Sequence, residues 1–140
     1  MKVKNFMTGR VIAATPKATC QELAKKMLVG NFSGLPIVNE KLHVVGVVSE
    51  FDILKALRQD RDNLLSSALA EEVMSADPIC VDDDADLDEA IDLMTKNHII
   101  RLPVVRENKL VGVISRCDIL KAYVRDTFIT LDAGNVAARE

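Results

Sequence analysis

Gly46-Val47-Val48-Ser49-Glu50-Phe51-Asp52-Ile53-Leu54-Lys55-Ala56 returns downstream as Gly112-Val113-Ile114-Ser115-Arg116-Cys117-Asp118-Ile119-Leu120-Lys121-Ala122, with eight of the eleven positions identical. Working outward, Leu35-Pro36-Ile37-Val38 returns as Leu102-Pro103-Val104-Val105 and Met7-Thr8 as Met74-Ser75, at a spacing of 67 residues that shortens to 66 after one loop. The chain is a tandem duplication, so every element and every cleft is expected twice, related by a pseudo-two-fold axis. The two units read as residues 1–60 and 70–126, joined by 61–69 and followed by a tail over 127–140.

The chain has 140 residues, 49% of them hydrophobic. One unit alone has so small a core that it would be marginal, so the two are expected to pack as a single body around a shared core. Eighteen Lys and Arg against 21 Asp and Glu leave a net charge of −3. That balance lacks the basic footprint with which proteins hold nucleic acid phosphates. No apolar run is long enough to insert in a membrane, and Met1-Lys2-Val3-Lys4-Asn5 lacks the apolar stretch of a secretory signal, so a cytoplasmic protein is expected. Cys20, Cys80 and Cys117 are odd in number and far apart, which suits small core hydrophobes in a reducing compartment. His43 and His98 are too scattered to suggest a metal.

Thr19-Cys20-Gln21-Glu22 and Asp86-Leu87-Asp88-Glu89 each place a capping residue three positions before Glu, which predicts two helix starts. The stripes Cys20, Leu23, Ala24, Met27 and Leu87, Ala90, Ile91, Met94 keep the spacing of a buried helix face. Short strands are expected ahead of these helices at Val11–Ala14 and Ile79–Val81. Hairpins are expected after them, Leu35–Val38 with Val44–Val48 and Leu102–Val105 with Leu110–Ile114. A second helix then starts at Ser49 or Ser115. Each unit is therefore β-α-β-β-α, an α+β arrangement of two pseudo-symmetric units packed through their sheets. The acidic run Asp82–Asp88 lacks the Gly and Glu of a calcium loop and suits the positive end of the helix that follows. The tail from Thr127 to Glu140 has weak periodicity, which fits either a flexible end or a dimer contact.

The order strand, Gly, apolar pair, Ser, two variable residues, Asp, helix has two physical meanings. Ser49 and Ser115 stand where helix amides are free to meet a phosphate, and Asp52 and Asp118, one turn on, suit the hydroxyls of a ribose. Ser-x-x-Asp is equally a capping box, in which the same residues only secure a helix start. Spacing alone leaves both open.

Together, the Met-Thr/Ser openings, capped helices, Leu-Pro-Ile/Val-Val and Gly-Val-x-Ser-x-x-Asp-Ile-Leu-Lys resemble a tandem pair of cystathionine-beta-synthase (CBS) domains, or Bateman module. The resemblance covers about Val3 to Ala56 and Ala70 to Val124. It implies a regulatory sensor holding an adenosine-containing ligand, of the AMP, ADP or ATP class or S-adenosylmethionine, in clefts between the units. Its phosphate-contacting Ser/Thr falls on Ser49 and Ser115, and its ribose-binding Asp on Asp52 and Asp118. The basic residue before Leu-Pro falls on Arg101, where the first unit has Gly34. The Thr common in the early strand is replaced by Ala13 and Cys80, leaving backbone around Ile12, Ala13, Ile79 and Cys80 to meet the adenine. Arg116 stands where the first unit has Glu50, and with Arg101 it predicts a second unit better supplied with positive charge. The resemblance further implies a homodimer acting on an effector protein that these residues do not reveal. The alternative is a module that dimerises and binds partners without a small ligand. No nucleophile and base are placed together, so no enzyme activity and no cofactor are expected.

Overall fold

The computed structural model describes residues 1–59, 62 and 65–124; the sequence tail over 127–140 lies outside the described residues. Each unit begins with a single helical turn, 3-10 at Val3–Asn5 and α3 at Ala70–Val73. The first unit continues as α1 (Cys20–Gly30), β1 (Gly34–Val38), β2 (Val44–Ser49) and α2 (Glu50–Gln59). After α3, the second runs β3 (Ser75–Ala76), β4 (Val81–Asp82), α4 (Leu87–Asn97), β5 (Arg101–Arg106), β6 (Lys109–Ser115) and α5 (Arg116–Tyr123).

Local chemistry sets the ends of the long helices. At α1, Thr19 Oγ1 accepts from the Glu22 amide at 3.1 Å while Glu22 Oε2 accepts from the Thr19 amide at 3.3 Å, the reciprocal box its sequence predicts. Asp86 departs from that expectation and makes no side-chain cap on α4. Its carboxylate is turned instead toward Lys2, 3.9 Å away. Both helices stop on a left-handed residue, Asn31 at φ 56° and His98 at φ 53°, whose amides bond back to Met27 and Met94. The buried stripes are those read from the periodicity: Cys20, Leu23 and Met27 in α1, and Leu87, Ala90 and Met94 in α4.

β1 pairs antiparallel with β2, and β5 with β6, each hairpin carrying one register irregularity at the same repeat position, Ile37/Val38 and Val104/Val105. One further strand and one isolated bridge complete each sheet, and they come from different parts of the chain. The early strand is β4, parallel to β5 in the second unit, and shrinks to the single bridge Ala14↔Ile37 in the first. Val11–Ala14 is therefore not a strand over its length.

The outer strand of each sheet is contributed by the opening of the other unit: β3 pairs with β2, and Thr8 bridges Val113 of β6. Two cores result, in place of the shared one that unit size suggested. Val3 is buried among Val81, Leu87, Leu102, Val104 and Ile114 of the second unit. Ala70 is buried among Leu23, Leu35, Ile37 and Val48 of the first. The exchange explains the repeated Met and Gly. Gly112 lies under Met7, and a Cβ there would stand 2.6 Å from Met7 Sδ and 2.9 Å from the Thr8 carbonyl; Gly46 lies under Met74 in the same way.

The acidic run anchors this crossing. Asp83 is buried and accepts from Arg106 Nε at 2.7 Å, and Asp84 accepts from Lys4 Nζ at 3.1 Å. Cys20 is buried and Cys80 half-buried, and burial pushes both thiols up; Cys117 is exposed, unlike the core role expected of it.

Candidate nucleotide clefts

The strand-to-helix junction carries the candidate site in both units. Arg101 opens β5 opposite Ser115, the last residue of β6, and Gly34 opens β1 opposite Ser49. The helix that follows is held by its first turn. Ser115 Oγ accepts from the Asp118 amide at 3.2 Å, while Asp118 Oδ2 accepts from the Ser115 amide at 2.8 Å and from its hydroxyl at 3.0 Å. Ser49 and Asp52 repeat this at 3.3, 2.7 and 3.0 Å. The capping box is real in both copies. It uses one carboxylate oxygen only: among the described residues, every hydrogen bond to Asp52 or Asp118 uses Oδ2, and Oδ1 has no protein donor.

The helix amides are less free than their position suggested. The Arg116 amide donates to the Ile100 carbonyl at 2.8 Å and the Glu50 amide to the Ser33 carbonyl at 3.0 Å, while the Asp118 and Asp52 amides are taken by the serines. An anion here depends on side-chain cations more than on the helix end.

Two clefts flank the junctions. One, of about 180 Å³, joins Ser115, Asp118, Val113 and Arg101 of the second unit to Thr8, Arg10, Val11, Ile12 and Pro36 of the first. Residues quoted from both units thus meet in one place, because Thr8 is strand-paired to Val113. The other, of about 540 Å³, is lined by Ser33, Gly34, Val47, Ser49, Glu50, Phe51, His98, Ile99 and Arg101. Asp52 stands behind Ser49, to which it is bonded, and is not in that wall.

Ala13, Ile79 and Cys80 are in neither wall, and Ile79 packs against the second core. Arg116 lines a neighbouring groove together with Arg101, Glu50, Phe32 and Leu54, and Asp118 is not in its wall. In the Asp118 cleft the cation that accompanies Arg101 is Arg10, which the repeat did not single out because the matching position is Asp77.

Between the clefts, Pro36 and Val47 face Pro103 and Val113 across a gap of about 30 Å³ on the pseudo-two-fold axis. Arg101 occupies this axis. Its Nη1 lies 3.4 Å from the Gly34 carbonyl, its own repeat counterpart, and its Nε is buried without an acceptor.

The model of the CBS domain matches the chain twice, over residues 3–59 and 70–125. The chain belongs to the CBS domain family. The CBS domain pair of protein MJ0100, solved with 5′-methylthioadenosine and S-adenosyl-L-methionine, is 30% identical and superposes with a TM-score of 0.77 over 88% of this chain and 95% of that one. CBSX2 in complex with AMP is 27% identical, with a TM-score of 0.77 over 87% and 95%. Among curated relatives, the uncharacterized protein MK0525 of Methanopyrus kandleri is 35% identical over 113 residues, 79% of this chain and 57% of its own length. The chain thus spans little more than half of that relative. The α+β pair of CBS units expected from the repeat is the fold observed. No helix among the described residues is long and apolar enough to cross a membrane.

Proposed function

We propose that this CBS pair is a non-catalytic regulatory module that binds an adenine nucleotide of the AMP, ADP or ATP class between its units. The observation that carries the reading is the division of labour on Asp118. Oδ2 secures the helix, and Oδ1 is left to accept from ribose hydroxyls at the mouth of a cleft that also holds Arg10 and Arg101. The base would lie against Val11, Ile12, Pro36 and Val113, and the phosphates would extend toward the arginines. At about 180 Å³ the cleft is smaller than a typical enclosed ligand site, which leaves the phosphates partly in solvent and favours a ligand that is anionic at its outer end.

AMP and S-adenosylmethionine both occur in similar pairs. Two guanidinium groups favour the phosphate over the cationic sulfonium. The Ser49 cleft is roomier but sets Glu50 against the single Arg101, so its binding would be weaker. A cytoplasmic location fits an adenine-nucleotide ligand and the free Cys20, Cys80 and Cys117. A nucleotide acts on an effector only through a difference in affinity between two conformations, so the effector is a separate protein or a further part of a longer chain.

A thermal-melt panel of AMP, ADP, ATP, NAD and S-adenosylmethionine tests the reading. A ligand at 100 times its dissociation constant adds about 2.7 kcal/mol, a readily measured rise in Tm, and AMP, ADP and ATP should give it. A panel that moves nothing at millimolar concentration favours the second reading, a ligand-free interaction module. Exposed Leu28, Val29, Phe51, Leu54, Leu120 and Tyr123 on the helices support the dimer that both readings share.

A further inference from the structure

Among the described residues, Arg101 and Gly34 line both clefts, and they are repeat counterparts: Arg101 stands opposite Ser115 and Gly34 opposite Ser49, so one unit supplies a charge where the other has no side chain. Because position 34 is glycine, the guanidinium crosses the pseudo-two-fold axis and reaches the Gly34 carbonyl at the entrance to the Ser49 cleft. Its resting place is poorly satisfied. The contact to Gly34 is long at 3.4 Å, and Nε is buried with no acceptor, a cost that an anionic acceptor would remove.

A guanidinium fork grips a phosphate bidentately but carries one positive charge, so two phosphates drawn to it from opposite clefts share that charge and repel each other. We propose that Arg101 is a single cation shared by the two clefts, so that an anionic ligand taking it in one cleft lowers the affinity of the other. This rests on adenine nucleotides being the ligands, and it adds that the module reports the first nucleotide bound more strongly than the second. The asymmetry follows from one glycine and one arginine at repeat-related positions and needs no movement of the backbone.

Titration calorimetry with AMP on the wild type, Asp118→Asn and Asp52→Asn tests it. Asp118→Asn closes the Ser115 cleft to ribose, Asp52→Asn perturbs the Ser49 cleft through the serine it holds, and both leave Arg101 in place. Under the proposal, the Ser49 cleft in Asp118→Asn binds AMP about tenfold more tightly than the second AMP binds the wild type, the lower end of what a charge-assisted hydrogen bond is worth. A second wild-type step too weak to register, with a measurable step in Asp118→Asn, supports it equally. The tightening should vanish for adenosine, which has no phosphate, and in an Arg101→Gln background. An Asp118→Asn affinity equal to the second wild-type step means independent clefts and overturns the proposal; so does one AMP in the wild type and none in Asp118→Asn. Asp52→Asn gives the reciprocal test should the first variant melt early. Absence of heat from AMP, ADP and ATP on the wild type overturns the nucleotide reading itself, whereas binding without coupling overturns only the shared cation.

Discussion

Asp118 uses its two oxygens differently, and substitutions can separate them. Asp118→Ala removes the acceptor of the Ser115 amide and hydroxyl, and should cost about 1 kcal/mol of stability through the lost cap. It should also weaken AMP by about 1.5 to 3 kcal/mol, the worth of hydrogen bonds to a charged group. Asp118→Asn keeps one oxygen for the cap and places an amide where a ribose hydroxyl needs an acceptor. Its melt should stay near wild type while its affinity falls, a combination that a purely structural aspartate would not give.

The serine and aspartate were legible because an eleven-residue stretch occurs twice with eight positions unchanged, these among them. Which of their two roles applied was not, since a cap and a ribose site share one spacing. Arg10 was illegible for a different reason: it belongs to a segment that crosses into the other unit, and no local pattern records the destination of a crossing.

At the scale of elements, the exchange of openings depends on two glycines. Gly112→Ala and Gly46→Ala should each destabilise by about 1 to 3 kcal/mol, the usual cost of overpacking a fitted contact. A second substitution distinguishes them. The three atoms nearest a Cβ at Gly46 all belong to the Met74 side chain, so Met74→Ala should restore much of the loss; at Gly112 it also meets the Thr8 carbonyl, so Met7→Ala should restore less. Double-mutant cycles by chemical denaturation measure both, and equal rescue would refute the difference.

Acidity tests the same crossing. Hydrogen bonding and charge from Lys4, with Lys2 beyond, hold the Asp84 carboxyl below its ordinary value of 3.8. The contribution of this pair is therefore complete above that value and is lost as pH falls through the lowered folded-state value. Protection of the Val3 and Lys4 amides, which bond to the Ala85 and Asp83 carbonyls, should weaken in that acid range in hydrogen exchange. Periodicity announced the helices and hairpins correctly because each has a full apolar face to bury. It failed at Val11–Ala14, where one bridge replaces a strand and Val11 and Ile12 line a cleft.

Across the whole molecule, the two cores are interlocked, since each unit buries the opening of the other. Unfolding should accordingly be a single transition by every probe, with no state in which one unit survives alone. Apolar side chains are left exposed on the helices at Leu28, Val29, Phe51, Leu54, Leu120 and Tyr123, surface that a second copy of the chain would cover. Light scattering should report a dimer, and a monomer at every practical concentration would remove that expectation.

The central claim is that the paired serine–aspartate junctions and Arg101 form a nucleotide site between the units. A crystal structure with AMP tests it most directly. The account predicts adenosine in the Ser115–Asp118 cleft, ribose hydroxyls at hydrogen-bond distance from Asp118 Oδ1, about 2.5 to 3.0 Å, and a phosphate beside Arg10 and Arg101. Clefts that stay empty at saturating AMP, or AMP held elsewhere with Asp118 serving only its helix, would contradict it.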